Sequence, residues 1–311
     1  MNRFLITTFA IPSLFGLLQS CSVNFPSKDT AHTEQTHQMN HNSADSSHSD
    51  SMMSNTSSHA ANHSESSTHS HSNQTSDTLS LTKAQLTKPA EIIVNQPQTF
   101  LIDIQDQAGK SITKFDTFQE KLMHLIVVSD DLEVFNHLHP KYEGDGLFKV
   151  EITFPKPGNY TLVSDYKPFE ESEQISVLNA QVPGVKLTSS VKIDENMSQI
   201  LEDTQVTLTS SQPVLQSGQE VTLKFNLKDA KTNQPINDLK PYLGEQGHLV
   251  IFKQSNPLSK ADYIHAHALK NTPSDEVHFM TKFPKPGTYK VWGQFNRDGK
   301  MITTNFWLKV S

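Results

Sequence analysis

The sequence predicts an all-β chain, with two tandem β-sandwiches carried behind a leader segment and a polar tether. Three observations predict it. The 311 residues are only 35% hydrophobic, against the 45–50% or so usual for compact chains with glycine counted, so part of the chain builds no core. From residue 81 onward, short runs rich in Val, Ile, Phe, Tyr and Thr alternate with Pro, Gly, Asn and Asp clusters, the texture of many short strands joined by turns. A set of features in that region recurs once, in the same order, which makes two units.

The leader is residues 1–20. Arg3 supplies a small positive start, and Phe4 to Leu18 is apolar but too short to span a bilayer comfortably. It ends in Leu18-Gln19-Ser20-Cys21, which resembles the lipobox of bacterial lipoprotein signal peptides, with Gln19 a departure from the small or aliphatic residue usual there. The resemblance implies that Cys21, the only cysteine, is the lipidated N-terminus. It also implies a bacterial envelope protein anchored to the membrane through that lipid. Ser22 after the cysteine points to the outer membrane, with the chain facing the periplasm.

Residues 21–80 read as a disordered His/Ser-rich tether. Ser, Thr, Asn, Gln and His dominate, and such a stretch buries too little apolar surface to offset the entropy of ordering. A flexible chain of this length reaches about 40–45 Å. Eight of the fifteen histidines lie here, His32, His37, His41, His48, His59, His63, His69 and His71, with Met39, Met52 and Met53 among them. A histidine-rich tract is a compositional sign of metal contact, here weak and exchangeable. A merely hydrophilic spacer is the plainer reading.

The first sandwich is expected over 81–183 and the second over 184–311. Strand-like runs cover Glu91–Val94, Thr99–Ile104, His124–Val128, Leu147–Phe154 and Tyr160–Tyr166, then Val221–Asn226, His248–Phe252, Glu276–Phe283, Tyr289–Phe295 and Ile302–Val310. No long amphipathic helix appears, although Glu195–Glu202 has the pattern of one short turn. Phe154-Pro-Lys-Pro-Gly158 recurs as Phe283-Pro-Lys-Pro-Gly287, followed by Tyr160 and Tyr289. Pro presets φ and Gly permits a left-handed turn between strands. A tyrosine placed just after such a turn resembles the tyrosine corner of immunoglobulin-like sandwiches, where the hydroxyl bonds back to the backbone. This segment therefore belongs to architecture.

Chemistry falls to the remaining histidines. His124-Leu-Ile-Val matches His248-Leu-Val-Ile, and Phe135-Asn-His137-Leu-His139 matches Tyr263-Ile-His265-Ala-His267. Alternate residues of a strand share a face, so His137 and His139 point one way, as do His265 and His267. If each pair lies beside the strand that carries His124 or His248, three imidazoles converge in each domain. Neutral imidazoles suit Cu(II) and Zn(II). A fourth ligand is open between water, Asp131 or Asp262, and a tether histidine. The spacing from first histidine to the pair differs, 124 to 137 against 248 to 265, and Gln254–Lys260 reads as the loop that absorbs the difference. The alternative is that these histidines are half-buried structural residues, duplicated with the fold. His278 has no counterpart and reads as structural.

Pro241-Tyr-Leu-Gly244, Gly247-His-Leu-Val, His265-Ala-His267, Phe283-Pro-Lys-Pro-Gly287-Thr-Tyr-Lys-Val-Trp292-Gly-Gln-Phe295 and Asp298-Gly-Lys together resemble YtkA-like and CopC-like immunoglobulin-type domains of exported, often copper-associated bacterial proteins. The first repeat matches less well: Phe118-Gln-Glu-Lys stands at the place of Pro-Tyr-Leu-Gly, and Ser164-Asp-Tyr replaces Gly-Gln-Phe. The resemblance implies an exported sandwich with a link to metal handling and supplies no catalytic residue.

What is missing narrows the function. The formal net charge is −7 with no basic block, which argues against nucleic acid as partner. No nucleophile elbow, Gly-rich dinucleotide fingerprint or phosphate loop is present. A blue-copper site needs a thiolate, and Asp131 and Glu133 make no evident general base, so no enzyme is expected. The reading is an envelope-anchored lipoprotein that binds a metal ion, copper or else zinc, for sequestration or delivery, with affinity falling below about pH 6 as imidazole protonates. The rival is a non-catalytic immunoglobulin-like spacer or module that binds a protein partner.

Overall fold

The computed structural model describes residues 81–185 and 192–311; the leader with Cys21 and the tether with its eight histidines lie outside the described residues. In chain order the first repeat contains β1 (Thr82–Thr87), β2 (Gln98–Asp106), β3 (Phe115–Asp116), β4 (Met123–Ser129), β5 (Phe135–Leu138), β6 (Lys141–Gly144), β7 (Leu147–Ile152), β8 (Gly158–Pro168) and β9 (Gln174–Val182). The second contains β10 (Ser198–Leu201), β11 (Thr204–Ser210), β12 (Glu220–Asp229), β13 (Leu239–Lys240), β14 (His248–Lys253), β15 (Tyr263–His267), β16 (Glu276–Lys282), β17 (Gly287–Arg297) and β18 (Lys300–Val310). Among the described residues the helical content is one 3-10 turn, Lys260–Asp262.

Each repeat is a sandwich of two antiparallel sheets. In the first, β1-β2-β7-β6 faces a sheet ordered β3-β8-β4-β5, with β9 also on β8; in the second, β10-β11-β12-β16 faces β13-β17-β14-β15, with β18 also on β17. Alternation builds each core. Phe100, Ile102 and Ile104 of β2 meet Met123, Leu125 and Val127 of β4 and Tyr160 and Leu162 of β8. Leu223, Phe225 and Leu227 of β12 meet Leu249 and Ile251 of β14 and Tyr289, Val291 and Phe295 of β17. Both turn motifs behave as the sequence predicts. Gly158 and Gly287 sit at φ 139° and 147°, where side chains are disfavoured. The Tyr160 and Tyr289 hydroxyls donate to the carbonyls of Lys156 and Lys285 at 2.9 and 2.6 Å, closing a tyrosine corner in each repeat.

Two expected elements differ. Glu91–Val94 is a turn: the Gln96 N–H returns to the Ile93 carbonyl, and only Ile92 of the four is buried. The short helix expected at Glu195–Glu202 is instead strand β10. Its ladder to β11 runs from Ser198↔Thr207 to Leu201↔Thr204, so Glu202-Asp203 is a two-residue hairpin turn, and pairing with a neighbour outweighs weak local helical preference.

The feature that positions the site is a third apolar cluster. In β4 and β14 nearly every residue, and in β8 and β17 the whole central run, is buried on either parity. One parity fills the repeat's own core. The other carries Ile126, Val128, Val163, Val250, Phe252 and Trp292, which with Tyr263 of β15 and Trp307 of β18 pack together across the two repeats. Phe135 of β5 stacks on Trp292 of β17, with ring centroids 4.8 Å apart and planes 13° apart. The outer faces of the two five-stranded sheets are thus pressed together, and the histidines lie on those same faces.

Candidate metal centre

The histidines reach their positions by strand register. In β4 the face that carries Ile126 and Val128 begins with His124; in β14 the face of Val250 and Phe252 begins with His248. Ile126 pairs with His137 on β5, and Val250 pairs with His265 on β15, while His248 pairs with His267. The strands proposed as neighbours are neighbours, and each His-x-His segment presents its two rings on the face turned toward the other repeat. The two triads face each other, so all six rings form one cluster at the repeat boundary. Ring centroids of His124 lie 5.2, 5.1, 6.3 and 5.8 Å from those of His137, His139, His248 and His265. His265 and His267 are 5.2 Å apart. His124, His137 and His139 each bring one ligand atom within 4.8 Å of the others.

Hydrogen bonds fix which nitrogen carries the proton in four of the rings, His124, His137, His248 and His265. His124 is fully buried, and its Nε2–H donates to the Phe118 carbonyl at 3.2 Å. His248 is equally buried, and its Nε2–H donates to the Tyr242 carbonyl at 2.9 Å. Those carbonyls belong to matching two-residue turns. Phe118 and Lys121 exchange backbone bonds around Gln119 and Glu120, and Tyr242 and Glu245 do so around Leu243 and Gly244. All four central residues have positive φ, the signature of a type I′ turn. The Pro-Tyr-Leu-Gly segment and its counterpart therefore exist to hold a carbonyl behind a histidine. Such a partner orients a metal-ligating imidazole by fixing its tautomer.

The other two anchors cross between repeats. His137 Nδ1–H donates to Gln294 Oε1 at 2.8 Å, and the Gln294 amide nitrogen is turned the other way, to Thr303 Oγ1. His265 Nδ1–H donates to Asp165 Oδ2 at 3.2 Å, and the Tyr263 hydroxyl donates to the same oxygen. With Nε2 of His124 and Nδ1 of His137 both protonated, the facing pair His124 Nδ1 and His137 Nε2, only 3.0 Å apart, are two acceptor lone pairs aimed at each other. His248 Nδ1 and His139 Nε2 are buried without a hydrogen-bond partner. Converging lone pairs repel, and buried acceptors without donors cost roughly 1–3 kcal/mol each; a cation between them reverses both penalties.

Protonation of the rings is suppressed. Burial lowers the His137 pKa to about 4, against the raising effect of Gln294. Burial, then the neighbouring His137 and Lys121, lowers His139 to about 3. Burial and then the charge of His265 and His137 lower both His124 and His248 well below the usual imidazole range. The rings are held neutral, the form that ligates a metal, further into acid than unperturbed imidazole would be.

The carboxylates suggested as a fourth ligand are engaged elsewhere. Asp131 is bound to Lys156 at 2.7 Å and to Ser129, and Asp262, the last residue of the 3-10 turn, accepts from Ser255 and Ser259. His278 pairs with Glu276 on β16, outside the cluster. The carboxylate that does reach the cluster, Asp165, and its amide counterpart Gln294 were missed. Their signal was present as the departure of Ser164-Asp-Tyr from Gly-Gln-Phe, a charge set in the buried run of β8.

The architecture defines a tandem immunoglobulin-like β-sandwich protein. More narrowly, the chain belongs to the family described as a domain of unknown function, DUF8832, which matches twice, over residues 74–183 and 198–311. No curated protein matches the chain. Among solved structures it is similar to the Escherichia coli adhesin FdeC, at 14% identity and a TM-score of 0.24, over 75% of this chain and 64% of that one. It is similar to the soluble domain of PmoD from a Methylocystis species, at 17% identity and a TM-score of 0.27, over 37% of this chain and 97% of that one. A two-domain fibronectin type III segment of chicken tenascin is similar at 9% identity and a TM-score of 0.21, over 73% of this chain and 97% of that one. None of these likenesses bears on function.

Proposed function

We propose that this protein binds a borderline transition-metal cation, copper or zinc, through His124, His137, His139, His248, His265 and His267, and that its task is sequestration or delivery rather than catalysis. One observation carries the reading: hydrogen bonds on the far side of His124 and His137 leave two lone pairs facing each other 3.0 Å apart in a buried setting. Ligand nitrogens around one tetrahedral zinc ion are about 3.3 Å apart, given Zn–N bonds near 2.0–2.1 Å. Imidazole suits Cu(II) and Zn(II) alike.

The setting is part of the same proposal. The lipobox-like Leu18-Gln19-Ser20-Cys21 supports a lipid anchor at the bacterial cell envelope, with the outer membrane facing the periplasm as its place, and the YtkA-like and CopC-like resemblance agrees with an exported metal-handling module. The tether histidines would serve as weak, exchanging contacts that raise the local metal concentration. The rival reading, a spacer or protein-interaction module, is supported by the sandwich architecture, a fold that serves many functions.

Calorimetric titration of Cu(II) and of Zn(II) into the metal-stripped chain separates the two. A tight phase that vanishes in a His137→Ala, His265→Ala double variant, while weak tether binding persists, is the expected result. A titration with only the weak phase leaves the interaction module standing.

A further inference from the structure

Six imidazoles exceed what one tetrahedral ion accepts, so the cluster must divide in some way. The sequence divides it by repeat, three and three. Within the first repeat His124, His137 and His139 bring ligand atoms within 4.8 Å of one another, but the rings also admit a division across the boundary. For His124, His137, His248 and His265 all six ring-to-ring distances lie between 5.2 and 6.3 Å, and those across the repeat boundary, 5.8 to 6.3 Å, match those within a repeat, 5.2 and 5.8 Å. Four points with six similar separations form a tetrahedron. Imidazoles on one zinc ion at about 2.0–2.1 Å place their ring centres about 5 Å apart, so the proposed shell requires the rings facing across the boundary to approach by about 1 Å. His139 and His267 flank it, each beside a ring of its own repeat.

The anchors obey the same symmetry. Asp165 and Gln294 occupy equivalent places: Asp165 pairs with His124 across β8 and β4, and Gln294 pairs with His248 across β17 and β14. Each reaches over the boundary to the other repeat's ring, Asp165 to His265 and Gln294 to His137. A repeat folded alone would leave one of its two central rings without its orienting acceptor.

We propose that the two repeats share one four-imidazole centre for a tetrahedral divalent cation of the zinc type, built from His124, His137, His248 and His265, with Asp165 and Gln294 as reciprocal cross-repeat positioning residues. The inference rests on the metal-binding reading above and adds its stoichiometry, its geometry and its dependence on both repeats. The His265 and Asp165 side chains are 7% and 3% exposed, so the carboxylate lies close to the ion's charge with little water to screen it. It strengthens His265 as a donor by accepting its far-side proton, whereas Gln294 does so for His137 without a charge. The bound ion would clasp the sandwiches together.

The test loads the full chain with Zn(II), strips weak tether contacts with a chelator of intermediate strength, and counts retained ions by native mass spectrometry; Co(II) in place of Zn(II) reports geometry through its visible bands. The expected result is one ion per chain, intense tetrahedral Co(II) bands, and loss of the ion in His137→Ala and in His265→Ala alike. Two ions per chain, with one kept in each variant, would overturn the shared centre while leaving metal binding intact. No retained ion in the parent chain would overturn both. Because alanine variants remove packing, Asp165→Asn supplies the second arm. It keeps the shape and the acceptor, and is expected to weaken retention roughly 10–100-fold and shift the Co(II) bands, with the urea midpoint of the metal-free protein little changed. Unaltered bands and retention in that variant would overturn the positioning role.

Discussion

The packing of one repeat on the other can be tested without any metal, through the Phe135–Trp292 stack. The perturbation is alanine at each position, singly and together. Trp292 is 3% exposed, and truncating a buried tryptophan costs about 3–5 kcal/mol. Phe135 is only half-buried, so its loss should fall below that range, near 2–3 kcal/mol on the same scale. The rings lie 4.8 Å apart and nearly parallel, and such pairs contribute about 0.5–1.5 kcal/mol beyond their area. The double variant should therefore lose less than the sum of the singles by that amount.

The protein supplies its own probe. Its two tryptophans, Trp292 and Trp307, both lie in the inter-repeat cluster, so emission reports the boundary, and Trp307 remains when Trp292 is removed. Urea titration in chelator, followed by Trp307 emission and by far-ultraviolet circular dichroism, should give coincident transitions, because the boundary couples the repeats. Phe135→Ala should lower the midpoint seen at Trp307 even though Phe135 belongs to the other repeat. Additivity within about 0.3 kcal/mol, or two separated transitions with Phe135→Ala silent at Trp307, would show that the repeats do not pack through this face.

Three further outcomes follow. Acid should destabilise the metal-free protein well before the carboxylates titrate: the unfolded chain takes up protons on histidine near pH 6.5, whereas the folded His137 and His139 do so only near 4 and 3. Stability is then complete above about pH 6.5 and lost as pH falls from there toward 4, at about 1.4 kcal/mol per pH unit for each such ring; urea midpoints that stay flat from pH 7 to 5 would contradict the burial of these rings. Saturating Zn(II) should raise stability by about 2.7 kcal/mol at a free concentration one hundred times the dissociation constant, read as a thermal shift that His265→Ala abolishes. Tyr160→Phe and Tyr289→Phe should each cost about 1–3 kcal/mol, since a carbonyl loses its donor at a tyrosine corner, measured by urea denaturation and independent of metal.

Much of the fold was legible because strands declare themselves by alternation and turns by punctuation. Leu147–Ile152 and Val221–Leu227 alternate cleanly, and the Phe-Pro-Lys-Pro-Gly turns mark where β8 and β17 begin. Among the strands that carry no clear signal, β1 and β11 read Thr-Lys-Ala-Gln-Leu-Thr and Thr-Gln-Val-Thr-Leu-Thr-Ser. They are held by ladders to β2 and β12 more than by their own apolar content, and a ladder partner is not visible in a local window. Glu91–Val94 failed for the opposite reason: apolar residues without a partner strand made a turn.

The site was legible in its residues and illegible in its assembly, and the cause is the same in both repeats. Duplication marks His124, His137 and His139 with their counterparts, and strand parity puts each His-x-His pair on one face. What parity alone does not say is what that face meets. Yet Leu125-Ile126-Val127-Val128 and Leu249-Val250-Ile251-Phe252 are apolar on both parities, and an antiparallel sheet with one wet face has no use for that. The surplus apolar parity, Ile126, Val128, Val250 and Phe252, is what buries the boundary, and it begins at a histidine in both strands. The same reasoning explains why Asp165 looked like an irregularity. Within its own repeat it sets a charge on a buried face of β8; a partner, His265, lies a hundred residues on, in the other sandwich. A charge placed on a strand buried on both faces is tolerable only if something accepts it, and His265 does so from across the boundary, so Asp165 and the second apolar parity of β4 and β14 are two signs of one fact: each repeat's sequence is written for the surface of the other.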